Sequence, residues 1–330
     1  MIILFLFCGV YSYSQNITID GNGTVRCPTA PLGASETISG KTYYVVNKAA
    51  IISILDTGSF TVTSTSSTIS PTDLSCVCTS QITEMDQLFN GRTTFDDDIS
   101  NWDTSNVESM IETFRNAQLF NQNISSWDVS DVTLMTRMFF NAFVFNQDIG
   151  SWNTSSVTDM TETFRGATAF DQPITSAPNR WDVRSVTSMF LMFKDAHAFD
   201  QTIEWGGTDG TVSVRNMQQM FEHALVLNSP VNLNTSSVTN MQNMFNHARK
   251  FDQPLSFDTA QVTNMRGMLA NMNVFNSTIN FTSTSSVRTM RAMFFKSKKF
   301  NQPLNFDTSS VNNFREIETI NLTTVVKVNE

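Results

Sequence analysis

Three places in the sequence hold residue types that do chemistry. "FDDDIS" at 95–100 sets Asp96, Asp97 and Asp98 side by side, as a calcium loop would. A calcium loop also needs a glycine turn and a distal glutamate, and neither follows, so the stretch reads as a solvated strand edge. "CVC" at 76–78 offers two sulfurs, but no second cysteine pair and no nearby histidine completes a metal site. The histidines, His197, His223 and His247, all fall at the end of an expected helix, where exposure to solvent is the plain expectation. Serine and threonine abound, but without a paired base they form turns rather than nucleophiles. Trp102, Trp127, Trp152 and Trp181 recur in register and read as inter-coil stacking before a sugar platform. These residues assign no catalytic, cofactor or metal position, and the expectation is a protein that is not an enzyme.

Composition narrows the class. Of 330 residues 40% are hydrophobic, which excludes a disordered polymer. A formal charge of -9 argues against a nucleic-acid partner, which requires a basic face. The opening "MIILFLFCGVYSYSQ" is too short to span a bilayer and resembles a secretory signal peptide over 1–14, with a cut near Gln15. No membrane span is expected once it is removed. Residues 15–78 then form an N-terminal capping region. It ends with Cys76 and Cys78, either of which could pair with Cys27 outside the cell; three unpaired thiols are the alternative.

The elements that would position any site come from a repeat of 24 or 25 residues, running over 79–314 ahead of a tail at 315–330. "FNQNISSWDVSDVTLMTRMFFNA" (120–142) is followed by "FNQDIGSWNTSSVTDMTETFRGA" (145–167). Taking a branched residue as the anchor gives Ile82, Val107, Val132, Val157, Val186, Val214, Val238, Val262, Val287 and Val311. Three and six positions past the anchor stand 15 of the 17 methionines. Seven and thirteen positions past it stand phenylalanines, eight of them in each column. Anchor-plus-3, +6, +7 and +10 is the apolar stripe of one helix face. Ser109, Asp159, Ser188, Asn216, Asn240, Asn264 and Thr289 read as its N-caps, and Ser109 with Glu112 and Asp159 with Glu162 have capping-box spacing. The remainder of each copy reads as a short extended stretch. Its recurring Asn or Asp (Asn121, Asn146, Asp171, Asp200, Asp252, Asn276, Asn301) suggests a side-chain ladder between neighbouring copies. One such unit cannot close a core, so the expected fold is an α/β solenoid of nine to ten coils, each with one short strand and one short helix. Strands stack more closely than helices, so the expected solenoid curves with its strands inside.

The pattern "FNQxIxxWDTSxVTxMxxMFxxA" resembles the BspA-like leucine-rich-repeat surface proteins, in the 25-residue variant also found in mycoplasma lipoproteins. That resemblance implies a leucine-rich-repeat-like solenoid, a secreted or cell-surface location, and adhesion to a protein or glycan on another cell surface or matrix. The strand-side positions Asp98, Asn123, Asp148, Thr202 and Thr278 would line the concave face, where solenoids bind. Phe140 and Phe143 break columns that are mostly polar elsewhere, and Phe190 and Phe295 do likewise; an exposed apolar cluster of this kind can mark an interface, and local repacking between coils is the alternative. A structural spacer or coat component without a specific ligand is the second reading, and an enzyme the third.

Overall fold

The repeat's apolar stripe does not form a helix. In the computed structural model, described over residues 17–63, 65–176, 179–206 and 210–313, the only α-helix is Lys48–Thr57, which precedes the repeats. The expected α/β solenoid, with a short strand and a short helix in each coil, is therefore overturned. The described strands are two to five residues long and lie in separate two- and three-stranded sheets. The curvature argument falls with the helices that it required. The leader expected over 1–14 and the tail over 315–330 lie outside the described residues.

What forms instead follows from the backbone. Two residues in each repeat, five and nine past the anchor, adopt left-handed φ. Glu112 and Asn116 (55° and 56°), Arg137 and Asn141 (55° and 54°), and Gln219 and His223 (57° and 59°) are examples. A left-handed residue cannot continue a right-handed helix. It turns alternate amides sideways, toward the next repeat. Met110, Glu112, Phe114 and Asn116 donate to the carbonyls of Leu134, Thr136, Met138 and Phe140 at 2.7–3.0 Å. Of the amides between them, Thr113 and Arg115 bond three residues back within the repeat, to Met110 and Glu112, while Ile111 donates to Asp86 Oδ1 of the preceding repeat (2.9 Å). The stretch is thus a run of tight turns, laterally bonded like a parallel strand. A turn places residues i, i+3 and i+4 on one side much as a helix does, so the buried stripe survives the change of backbone.

The expected helix caps become the joints between repeats. Parallel bridges run Glu84, Ser109, Leu134, Asp159, Ser188, Asn216, Asn240, Asn264, Thr289, Asn313, each residue paired with the next. Across the repeat, Ile203–Trp205 pairs in parallel with Val231–Leu233, and Leu255–Phe257 with Ile279–Phe281. The extra residues near 175–180 are absorbed by a small antiparallel hairpin, Thr175–Ser176 with Asn179–Arg180.

Inside, the columns stack. Phe89, Phe114, Phe139, Phe164, Phe193, Phe221 and Phe245 lie 5.2–5.7 Å apart between ring centres. A second row, Phe95, Phe120, Phe145, Phe170 and Phe199, runs beside it at 5.7–6.2 Å. Rings pair between the rows at about 4 Å, as Phe114 with Phe120 (4.0 Å) and Phe139 with Phe145 (4.1 Å). The anchors from Ile82 to Val287, the methionines three and six past them and both rows are buried in one core from Val46 to Leu304, against which Val311 packs half-buried. That core takes in Ile51, Phe60 and Leu74, so the region before the repeats seals their first member. A disulfide from Cys27 to Cys78 and the Arg26–Asp103 ion pair (3.1 Å) hold it there, while Cys76 stays a free, buried thiol.

The amide ladder forms as its spacing implies. Asp96 Oδ1 accepts from the Asn121 amide (2.8 Å), Asn121 from Asn146 (2.9 Å), Asn146 from Asp171 (2.9 Å) and Asp171 from Asp200 (2.9 Å). It continues without a break: Asp200 accepts from the Asn228 amide (2.6 Å), and the ladder runs on through Asp252 and Asn276 to Asn301 at 2.7–2.9 Å. Asn146 also accepts from Gln172 Nε2 at 3.0 Å. Replacing Asn146 by Ala leaves the Asp171 amide without its acceptor and is expected to cost about 1–3 kcal/mol in urea denaturation. Asn146→Asp keeps the acceptor and is expected to stay within about 0.5 kcal/mol of the parent, as Asp171 and Asp252 occupy equivalent rungs.

Candidate functional site

The side chains free to meet a partner are those left outside the stack, and they fall in columns because the repeats are in register. Asp98, Asn123 and Asp148 are exposed and occupy one column. Each caps its own turn: Asp98 Oδ1 accepts from Ser100 N (2.9 Å), Asn123 Oδ1 from Ser125 N (3.0 Å) and Asp148 Oδ1 from Gly150 N (2.9 Å). Thr202 and Thr278 belong to the same column farther along, flanked there by Pro230 and Pro254, to which the parallel pairs align them. Pro173, Pro230 and Pro254 therefore divide the column, leaving Thr202 and Thr278 apart from each other and from the Asp98, Asn123 and Asp148 group.

Phe140 and Phe143 part company. The Phe140 ring is half-buried between the guanidiniums of Arg115 (5.4 Å) and Arg165 (5.1 Å), from the repeats on either side. Those arginines belong to a charged row. Glu112 and Glu162 are buried, and Arg137 between them reaches both, at 3.3 and 2.8 Å; Arg165 pairs with Glu162 at 2.7 Å. Burial pushes the Glu162 carboxyl up, but hydrogen bonds and charge from Arg137 and Arg165 outweigh this and hold it below the ordinary glutamate range. Glu112 and Glu162 both sit at left-handed positions, so the ion pairs form where the backbone carries local strain. Phe190 and Phe295 are half-buried, and Phe295 lies under Lys296 at 5.1 Å. Phe143 is exposed. With Leu119 and Val144 it makes the exposed apolar part of one edge of the stack, eleven and twelve positions past the anchor. Hydrogen bonds from the Leu119, Val144, Ala169 and Ala198 amides to the preceding repeat keep that edge in register.

The histidines show a relation that sequence spacing alone did not reveal. His223 and His247 stand at the left-handed ninth position of adjacent repeats, and their rings meet at 4.6 Å with their planes tilted by 46°. His223 Nδ1 lies 3.0 Å from Asp195 Oδ1, the same position one repeat earlier. His247 Nδ1 is buried without a partner, while His197 is exposed elsewhere on the edge. Both histidines follow position nine of the repeat, a signal that aligning the copies supplies. Among the described residues, no group of three or more His, Cys, Asp or Glu side chains is placed to hold a metal ion. Trp102, Trp127, Trp152 and Trp181 are buried, and each of these indole N–H groups donates to a carbonyl near the preceding repeat, as Trp127 does to Ile99 (3.1 Å) and Trp152 to Ile124 (3.1 Å). They are structural and present no sugar platform.

A cleft of about 480 Å³ opens in the N-terminal region, beside Lys41, Tyr44, Thr72, Asp73 and Cys76. Its polar groups are engaged locally. Asp73 Oδ1 caps the turn Leu74–Cys76 by accepting from Ser75 N (2.8 Å), and the Cys76 sulfur rests 3.1 Å from Thr72 Oγ1. Among the described residues no helix is long and apolar enough to cross a membrane.

One family model matches the chain repeatedly, over 59–177, 127–232, 176–258, 204–304 and 255–321; its description is "Mycoplasma protein of unknown function, DUF285". The chain belongs to the DUF285 family. Overlapping matches are what a tract of short, near-identical repeats produces, and in this DUF285 chain they cover the stacked repeats from the first anchor to the last. No curated protein and no solved structure matches it.

Burial lowers the His247 pKa, and so do the charges of His223, Arg249 and Lys296, against a smaller opposing effect of Glu222. A histidine that resists protonation when folded supports the fold fully above its unfolded value of about 6.5, and that support is lost as pH falls through the lower folded value. The urea midpoint is therefore expected to fall between pH 8 and pH 5.5. His247→Asn, which places there the residue found at Asn271, is expected to flatten that slope.

Proposed function

We propose that this DUF285 chain is a non-catalytic repeat protein, secreted or held at the cell surface, that binds a macromolecule across several repeats at once. The observation that carries this reading is the register of the stack. Each repeat buries its recurrent residues and presents its variable ones at fixed intervals along an edge, joined by parallel bridges from Glu84 to Asn313. A rigid comb of side chains suits an extended partner, because little conformational entropy is lost on binding. The Cys27–Cys78 disulfide supports an oxidising compartment outside the cytosol. The resemblance of the repeat motif to BspA-like surface proteins supports adhesion to a protein or glycan.

The test has two arms. Protease shaving of intact native cells is expected to release or cleave the protein; retention in the cytosol would overturn the location and with it the adhesive role. Labelled protein is expected to bind cultured epithelial cells or their matrix saturably. Changing Leu119, Phe143 and Val144 together to Ser is expected to weaken that binding about tenfold or more, with an unchanged thermal midpoint. Absence of saturable binding would overturn the reading.

A further inference from the structure

The edge that carries Leu119, Phe143 and Val144 changes character toward its C-terminal end. At the same two positions of later repeats stand Arg249 with Lys250, and Lys298 with Lys299, all exposed. Lys296, also exposed, adds a fifth cation at the ninth position. The intervening repeat carries Asn273 and Val274 there. The stacked rings that directly follow these pairs fix their separation: Phe251 to Phe275 is 6.1 Å and Phe275 to Phe300 is 5.5 Å, so the two pairs lie two rungs apart. Earlier repeats place Thr93, Gln118 and Thr168 on this edge, so the cations are confined to one end.

Among the described residues none of the five forms an ion pair with a carboxylate. Between 249 and 299 there are eight cationic side chains and two carboxylates, in a chain whose formal charge is -9. Both carboxylates are engaged within the stack: Asp252 accepts from the Asn276 amide (2.7 Å), and Asp258 from the Ala260 amide (3.1 Å) and the Thr282 hydroxyl (2.7 Å). The field reaches along the edge, since Arg249 and Lys296 both act on His247 from repeats on either side of the intervening one.

We propose that the edge formed by Arg249, Lys250, Lys296, Lys298 and Lys299 binds a sulfated polysaccharide, whose spaced anionic groups bridge the two cationic rungs. This rests on the binding role proposed above and names its partner. Charge complementarity selects an anionic polymer. The surroundings select among such polymers. A single-stranded nucleic acid needs exposed aromatic faces for its bases, and the one aromatic ring here, Phe295, is half-buried under Lys296. A membrane surface needs apolar side chains to insert beside the cations, and the exposed large hydrophobic residues lie elsewhere: Ile19, Leu32, Ile52, Leu119, Phe143 and Val144. A glycan chain asks for neither.

Heparin is the probe, measured by titration of the full chain at 50 and 300 mM salt. Saturable binding is expected, weakening steeply with salt. R249S/K250S/K298S/K299S is expected to lower affinity at least about tenfold at the lower salt, with an unchanged thermal midpoint. Failure of the parent to bind heparin overturns the proposal. Equal affinity for desulfated heparin, a thymidine oligonucleotide or anionic phospholipid vesicles also overturns it, by showing mere adsorption of polyanions. If heparin fails while L119S/F143S/V144S still loses cell binding, the glycan assignment falls and the broader binding role stands.

Discussion

The structure depends on amides that bond sideways. In each repeat the N–H groups three, five, seven and nine positions past the anchor leave their own turn and donate to the next repeat, as the series from Met85 to Gly91 shows against Ser109 to Arg115. A helix would have used those donors internally and left neighbouring repeats joined only by side-chain packing. Sending them outward makes each repeat an incomplete unit whose hydrogen bonds close only when the next is in place. The left-handed residues are what make this possible. Most of them are not glycine, and a non-glycine residue there costs on the order of 1–2 kcal/mol. Two such residues per repeat are offset by four lateral bonds and by burial of the stripe that those bonds bring into register.

Register then propagates to everything else. Once one repeat's amides meet the next repeat's carbonyls, like side chains meet like. Phenylalanine stacks on phenylalanine at 5.2–5.7 Å, tryptophan on tryptophan at 6.1–6.3 Å, and asparagine or aspartate accepts from the following amide. Near-flat stacking suits a ring only when its neighbour is offset in a fixed sense, and a translational repeat supplies the same offset each time. Insertions are tolerated where they leave the lateral bonds alone. The extra residues pair as Thr175–Ser176 with Asn179–Arg180, while the bridges Asp159 to Ser188 and Ser188 to Asn216 continue on schedule.

The apolar columns and the amide ladder were legible in the sequence because burial and hydrogen bonding repeat with the period. The backbone between them was not. A stripe at i, i+3, i+4 and i+7 records which side chains are inside, and a run of turns with lateral bonds gives the same record as a helix. Part of the difference was written at the ninth position, where Gly91, Asn116, Asn141, Gly166, Asp195 and Asn271 are the residue types that accept left-handed φ. The fifth position carried such a sign only at Asn243 and Gly267; Gln87, Glu112, Arg137, Leu191 and Ala292 there are good helix formers held left-handed by their neighbours. The same blindness affected the candidate site. Asp98, Asn123 and Asp148 looked available because they vary, yet each is engaged by its own turn, and Phe140 looked exposed because the arginines that cover it come from adjacent repeats.

An edge of this kind separates folding from recognition. The positions eleven and twelve past the anchor take Leu119, Val144, Ala169, Lys250 or Lys299 without altering the bonds that define the stack, because their side chains leave it. Fold stability therefore places little constraint on their chemistry, and neighbouring repeats are free to differ. A chain with a net charge of -9 concentrates cations at one end of that edge, although scattering them among the carboxylates would lower its self-repulsion. The opposite arrangement occurs at Arg137 and Arg165, where cations are spent on buried glutamates inside the repeat. Charges paired within the fold have no remaining field to offer a partner. Arg249, Lys250, Lys296, Lys298 and Lys299 form no ion pair among the described residues, and their two-rung spacing is inherited from the same lateral bonds that set the rings.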